Sequence, residues 1–444
     1  MLKTLAILLL AATSAIAAKP NIVFIMVDDL GFGDLSSHGA KDMRTPNIDQ
    51  LMADGVRFDK AYANCPVCSP TRASFLTGRY PDMVGVPGVI RTFRKDNWGN
   101  LDTQVPTIAE TFKKGGYKTA LVGKWHLGLE GEATPNQCGF DFFKGWLGDM
   151  MDDYYKHRRH GVPYMRENAK EIKPKGHATD LFGEWASLYM LDRIQKQDGP
   201  FFLFVSFNAP HTPIQPPDSW LIKVLEREKD NGITEKRAKL VALIEHLDER
   251  VGNVVKFAKS PKLGETIIVF TSDNGGQVNV GANNGANRGG KQEMWEGGLR
   301  VPTCVVWPGK TKPGTRLDSV TMTMDWLPTL AEAAGIKAPD DLDGTSILPD
   351  ILGNGKVDPL RPLVWVRREG GMKYGGRAYY AIRKGAWKLL QNTPYEPMQL
   401  FDLSKDSMEE SAVTNEPAIF NQLSHQLREH INASGQIPWQ RQEP

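Results

Sequence analysis

Cys65-Pro-Val-Cys-Ser-Pro-Thr-Arg-Ala-Ser-Phe-Leu-Thr-Gly-Arg-Tyr80 is the segment from which the rest of this chain can be read. Ser69 is a favoured N-cap residue and Pro70 suits a first helical position, so the spacing predicts a short helix running from Pro70 towards Gly78. Cys68 then lies just ahead of a helix N-terminus, where free backbone N–H groups and the helix dipole favour negative charge. Arg72, one turn in, can aim its guanidinium at the same point. The combination describes an anion pocket with a nucleophile-capable residue at its mouth. The alternative is a buried cysteine beside a capped helix.

Working outward, four continuous apolar runs read as strands covered on both faces: Asn21 to Val27, Lys118 to Val122, Phe201 to Phe207 and Thr266 to Ser272. Thr303 to Trp307 is a fifth. Helical segments alternate with them, around Thr45–Gly55, Thr107–Lys114, Thr179–Gln197, Glu235–Lys259 and Asp325–Ala334. This pattern predicts an α/β fold with a largely parallel central sheet sandwiched by helices. After about Pro362 the runs become short and strand-like, without long helices between them. They predict a small antiparallel sheet, with a last helix around Pro417–Ile431. His246 and Asp248 fall among the charged positions of the long amphipathic segment and read as part of a solvated face.

Open parallel sheets bind ligands outside the carboxyl ends of their strands. Polar candidates follow four of the runs: Asp28-Asp29, Lys124 with His126, His211, and Asp273-Asn274. Taken singly, the acids could be surface turns and the histidines satisfied core residues. Together, Asp28, Asp29, Asp273 and Asn274 offer only oxygen ligands, which suit Ca²⁺ or Mg²⁺ rather than zinc. Lys124, His126, His211 and Lys291 supply positive charge and proton-transfer capacity around an anion. Such a set suits displacement on a sulfate or phosphate ester.

The 444 residues predict one large and one smaller domain. The net charge of +2 gives no reason to invoke nucleic acid. Residues 1–17 read as a signal peptide: Lys3, the apolar run Leu5 to Ala12, and Ala15-Ile-Ala17 as the cleavage site. That run is too short to span a bilayer, and no later segment is a transmembrane helix. The expectation is export to the periplasm or medium. Of four cysteines, Cys65 and Cys68 also form a Cys-x-x-Cys pair, which leaves a redox or half-zinc reading open. The spacing does not say whether Cys138 and Cys304 pair.

The opening segment resembles the signature of the type I sulfatases, Cys-x-Pro-x-Arg followed by Leu-Thr-Gly-Arg, with Thr71 where that family most often has Ser. Asp28-Asp29-Leu-Gly, Gly-Lys124-Trp-His126-Leu-Gly, His211-Thr-Pro, Ser-Asp273-Asn274-Gly and Lys291 before Glu-Gly-Gly-x-Arg-Val-Pro are similar to further motifs of that family, in the same order. The resemblance implies an alkaline-phosphatase-like fold and conversion of Cys68 to formylglycine by a maturation enzyme. It implies calcium held by Asp28, Asp29, Asp273, Asn274 and residue 68, with Arg72 and Lys124 holding the aldehyde hydrate. One hydroxyl would attack sulfur with help from Asp273, and His211 would protonate the leaving alcohol. Lys291 would grip the sulfate, and His126 would deprotonate the second hydroxyl to expel it. Leu400-Phe-Asp-Leu403 and Glu409-Glu410 look like parts of the family's small second domain.

The domain expectation is therefore a catalytic unit over residues 18–361 and a C-terminal α+β unit over 362–444. The functional expectation is a sulfatase. A sulfated carbohydrate is the expected substrate, from the polar and aromatic loops Arg91–Trp98 and Tyr154–His160. The rivals are a phosphonate or phosphate ester hydrolase of the same superfamily, and an inactive relative that binds sulfated glycans.

Overall fold

The computed structural model describes residues 19–93, 99–370 and 376–439. The signal-peptide reading, and Arg94, Lys95 and Trp98 of the loop reading, lie outside the described residues.

A ten-stranded sheet runs through the molecule. Its order is Thr315–Leu317, Val56–Phe58, Thr303–Val306, Thr266–Ser272, Asn21–Val27, Phe201–Ser206, Lys118–Lys124, Phe142–Trp146, Met165–Glu167 and Lys170–Glu171. The five strands from Thr266–Ser272 to Phe142–Trp146 are mutually parallel, so their carboxyl ends lie along one edge. Antiparallel strands Thr303–Val306 and Met165–Glu167 border this parallel core.

The continuous apolar runs arise because both faces of the sheet are covered. Along Asn21–Val27, Val23, Ile25 and Val27 enter one core, and Ile22, Phe24 and Met26 enter the other. Helices Pro46–Ala53, Ala178–Lys196 and Glu235–Ala258 cover the first face. Helices Cys68–Thr77, Ile108–Lys114 and Trp326–Ala333 cover the second. Phe24 stacks on Phe75 at 4.1 Å, which fixes the helix carrying Cys68 against the central strand. Truncating a buried aromatic of this kind to alanine costs about 3–5 kcal/mol.

Two local expectations are corrected. The helix of the opening segment begins at Cys68, not Pro70, with extended Val67 as its N-cap. Ser69 does not cap it; the Ser69 hydroxyl accepts the Ile90 N–H at 3.0 Å. Pro70 still falls in the first turn, where its missing N–H has no intrahelical partner to lose. His246 and Asp248 are not on a solvated face, since each is 2% exposed. Their helix packs against Ala178–Lys196 and Asp218–Glu228, so these two positions lie inside. Asp248 accepts the N–H groups of Asn47 and Ile48 at 3.1 and 2.8 Å. It thereby caps the helix Pro46–Ala53, which Thr45 does not.

The C-terminal part forms a four-stranded antiparallel sheet from Leu363–Arg368, Ala378–Lys384, Trp387–Gln391 and Gln399–Asp402. Helix Pro417–Ser434 covers one face through Leu423 and Leu427. The other face packs on Tyr62, Met294, Trp295 and Leu299. At this junction Lys388 is wholly buried between Glu296 at 2.9 Å and Glu409 at 2.7 Å. All four cysteines are free, so Cys138 and Cys304 are not bridged.

Candidate active site

Four neighbouring parallel strands deliver the site. Asp28 and Asp29 follow Asn21–Val27, and Asp273 and Asn274 follow Thr266–Ser272, its hydrogen-bonded neighbour. On the other side, Asn208 and His211 follow Phe201–Ser206, and Lys124 ends the next strand. Gly123 precedes Lys124 at φ +111°; a Cβ there would meet the Ser206 carbonyl oxygen at 1.9 Å, so only glycine lets these strand ends approach. Helix Cys68–Thr77 brings Cys68 and Arg72 to the same edge.

The side chains converge. The Cys68 thiol donates to Asp28 Oδ1 at 3.2 Å, and Lys124 Nζ donates to Asp28 Oδ2 at 2.5 Å. Arg72 donates to Asp273 Oδ2 from Nε at 3.0 Å and Nη2 at 2.7 Å, and from Nη1 to the Ser206 hydroxyl at 2.6 Å. Lys291 Nζ reaches Asp29 Oδ2 at 2.7 Å, and His211 Nε2 lies 3.6 Å from the same oxygen. The Asn274 amide donates to Asp29 Oδ1 at 2.8 Å. Ligand atoms of Asp28, Asp29, Cys68 and His211 all lie within 4.8 Å of one another. Asp29 and His126 take positive φ, +69° and +64°, a conformation that Asp and His adopt more readily than most residues. The strand stops at Lys124, so His126 is placed by this turn and not by strand alternation.

Three carboxylates, Asp28, Asp29 and Asp273, face three fixed cations, Arg72, Lys124 and Lys291, and all six are largely buried. Burial raises the Asp28 carboxyl, but Lys124, His211, Arg72 and Lys291 outweigh it and hold the group well below the usual range. Burial and the Asp28 carboxylate push Asp273 up to about 7. Burial and Asp28 also push the Cys68 thiol well above its ordinary value. Burial opposes the charge on Lys291, yet Asp29 holds it protonated beyond its ordinary range.

The two histidines differ. His126 Nε2 faces the Ile90 carbonyl oxygen at 2.9 Å, and a carbonyl can only accept, so Nε2 carries the hydrogen. Its Nδ1 is buried without a partner. Burial, Lys124 and Arg72 hold this ring neutral. In His211 both nitrogens face oxygen acceptors, Thr212 O at 2.8 Å and Asp29 Oδ2. Burial and Lys291 lower its pKa, which makes it a stronger acid once protonated.

All ten residues singled out in the sequence lie at or beside this edge of the sheet. Ser206 and Ser272 were missed. Ser206 holds Arg72, and the Ser272 hydroxyl accepts the Leu30 N–H at 3.0 Å behind the two aspartates. Each is the polar last residue of its strand, Phe201–Ser206 and Thr266–Ser272, whereas the apolar run read from the sequence carried the first of these on to Phe207. In the Tyr154–His160 loop, Arg159 pairs with Asp149 and Asp152, and Tyr154 and His157 are buried. Arg91 pairs with Glu369 from the C-terminal sheet.

The family model described as "Sulfatase" matches residues 20–336, and one described as "N-sulphoglucosamine sulphohydrolase, C-terminal" matches residues 290–436. The chain belongs to the sulfatase family, whose reaction class is hydrolysis of sulfuric esters. Human arylsulfatase A is 32% identical over 446 residues, 90% of this chain and 84% of that protein. Mouse arylsulfatase J is 32% identical over 86% of this chain, which spans 66% of it. Canine N-acetylgalactosamine-6-sulfatase is 31% identical, over 83% of this chain and 71% of its own length. Among solved structures, Ps i-CgsB in complex with k-i-k-neocarrahexaose is 32% identical with a TM-score of 0.83, covering 94% of this chain and 93% of that one. Among the described residues no helix is long and apolar enough to cross a membrane.

Proposed function

We propose that this chain is an exported sulfatase acting on a sulfated carbohydrate, with residue 68 as nucleophile after conversion of Cys68 to formylglycine by a maturation enzyme. The observation that carries the reading is the convergence of Cys68, three carboxylates and three fixed cations on one point at the carboxyl edge of the sheet. The unmodified thiol is a poor candidate nucleophile, because its surroundings disfavour the thiolate. The carbohydrate preference is supported by the similarity to Ps i-CgsB, solved with a neocarrahexaose, and to an N-acetylgalactosamine-6-sulfatase.

The residues fit a hard divalent cation. Asn274 Oδ1 is buried with no hydrogen-bond partner, and the nitrogen of the same amide donates to Asp29 Oδ1. Asn274, Asp28, Asp29 and Asp273, with residue 68, would hold Ca²⁺ or Mg²⁺. The cation would supply charge to hold a sulfate oxygen and acidify a nearby hydroxyl. It would also turn a neutral cluster of three acids and three bases into one with a positive excess that attracts an ester sulfate.

The aldehyde hydrate at position 68 would supply one hydroxyl to attack sulfur and a second whose deprotonation expels sulfate. Arg72 and Lys124 orient it, Arg72 being itself fixed by Asp273 and Ser206. Lys291 holds the sulfate. His211 Nε2 donates the proton to the leaving alcohol, with its Nδ1–H anchored on Thr212 O. His126 Nδ1, the free lone pair of a neutral ring, takes the proton of the second hydroxyl. The two-part organisation, with a C-terminal unit from residue 362, belongs to the same proposal.

Matched 4-nitrophenyl sulfate and phosphate esters, followed by a panel of sulfated sugars, test it. The proposal expects sulfate over phosphate and turnover of at least one sulfated sugar. Preference for phosphate would favour the phosphate-ester rival. Activity confined to aryl sulfates would refute the carbohydrate assignment.

A further inference from the structure

We propose that Tyr154 is a positioning residue that sets the proton-donating ring of His211. The inference rests on the role given to His211 above. Tyr154 lies in the loop after strand Phe142–Trp146 and is 1% exposed. Its hydroxyl lies 2.9 Å from the Asn208 carbonyl oxygen and 2.8 Å from that of His211. These two carbonyls bracket the turn closed by the His211 N–H on Asn208 O at 2.9 Å. The phenol thus grips the backbone of the residue that would donate the proton.

The grip is itself braced. The Tyr154 N–H donates to Gln215 Oε1 at 2.8 Å, and its carbonyl accepts the Ala178 N–H at 2.9 Å. Its ring stacks on His177 at 4.9 Å, and His177 Nε2 donates to the Gln215 carbonyl at 2.9 Å. The segment from Asn208 to Gln215 is therefore strapped near both ends to Tyr154 and its support. His177, Asp180 and His246 meet behind this strap. Both nitrogens of His177 are engaged, by Thr179 N–H and Gln215 O, and Arg250 Nε stands 3.4 Å from Asp180. The cluster is a hydrogen-bonded support and not a cation site.

The hydroxyl, unlike the ring, has no packing duty that Phe could not fill. Its loss frees the His211 backbone while leaving the stack on His177. A general acid matters most when the leaving group is a poor one, and displacing a catalytic group by about 1 Å costs on the order of 10²-fold. An aryl sulfate with a nitrophenolate leaving group departs with little help; a sugar or other alkyl sulfate needs the proton.

The test compares the matured parent enzyme with Tyr154→Phe, His211→Ala and Tyr117→Phe on 4-nitrophenyl sulfate and on a sugar sulfate. Tyr117 donates to the Pro20 carbonyl at 2.9 Å at the opposite end of the sheet, so its change removes a buried hydrogen bond away from the site. We expect Tyr154→Phe to lower kcat on the sugar sulfate about 10- to 100-fold and on the aryl sulfate less than about threefold. His211→Ala is expected to show the same selectivity, larger, and Tyr117→Phe none. Selective loss in His211→Ala with an equal or absent loss in Tyr154→Phe overturns the assignment of Tyr154 alone. Equal losses on both esters in His211→Ala remove the role of His211, and this inference with it.

Discussion

Replacing Lys388 with Met probes how the C-terminal sheet supports the site. Lys388 Nζ is wholly buried between Glu296 and Glu409. Glu296 also accepts from the Tyr62 hydroxyl at 2.5 Å and stands five residues beyond Lys291. Glu409 accepts the Glu296 N–H at 2.7 Å. Met fills the volume of the lysine stem but leaves two buried carboxylates facing each other. Breaking a buried ion pair by removing one partner costs about 3–5 kcal/mol. Unfolding entropy of about 2.1 cal/mol/K per residue gives about 0.9 kcal/mol/K for 444 residues, so Tm should fall by about 3–5 °C near neutral pH.

The pH dependence has a definite sign. In the parent, burial raises Glu296, but Lys388, Arg383 and Arg300 outweigh it and hold the group at about 2. Its contribution is present above the ordinary carboxylate value and lost only as pH falls towards 2. Burial raises Glu409, with Lys388 opposing and Glu296 adding to the rise. Without Lys388 the pair must take up a proton on folding, so stability is lost as pH rises. Calorimetry at pH 5 and pH 8 should show the smaller Tm deficit at pH 5. A Tm within about 1 °C of the parent at pH 8, or a larger deficit at pH 5, would refute this reasoning.

Arg72→Lys keeps the charge but loses the fork that holds Asp273 and Ser206, and kcat/KM for an aryl sulfate should fall about 10²–10³-fold; a loss under threefold contradicts it. Chelation should lower Tm, and Ca²⁺ at 100 times its Kd should restore about 2.7 kcal/mol, or about 3 °C; Asn274→Leu should blunt this response. His126→Ala should release about one equivalent of alcohol per enzyme and then stall, and sustained turnover at the parental rate contradicts its role as base. Asp248→Ala should cost about 1–2 kcal/mol through loss of the cap on Pro46–Ala53. Burial raises Asp248 to about 6, so the deficit should be measured by denaturant titration on both sides of that pH. The carboxylate's contribution is greatest below its ordinary value and declines as pH rises through 6.

Much of the site was legible because a strand covered on both faces is apolar throughout, so a polar residue at its end stands out. Asp28, Asp29, Lys124, Asp273 and Asn274 were visible in that way, and the parallel register of their strands makes them neighbours. Long-range contacts were not legible. Asp248 looked like a surface residue because a helical period shows which positions are polar, not what another helix places against them. Its partners, Asn47 and Ile48, are about two hundred residues away. The start of the signature helix was misread for a related reason: Ser69 has good capping chemistry, but the tertiary contact with Ile90 claims its hydroxyl. Tyr154 was read only as part of an aromatic loop facing substrate; it is buried instead, and its contacts are two backbone carbonyls that only the fold brings to it.

The most direct test of the account is the mass of the tryptic peptide Ala61–Arg72 from protein purified from its native host. A formylglycine nucleophile predicts a species in which the Cys68 thiol is replaced by an aldehyde, with Cys65 unchanged. A peptide carrying two unmodified cysteines, from protein that nonetheless hydrolyses sulfate esters, would contradict it.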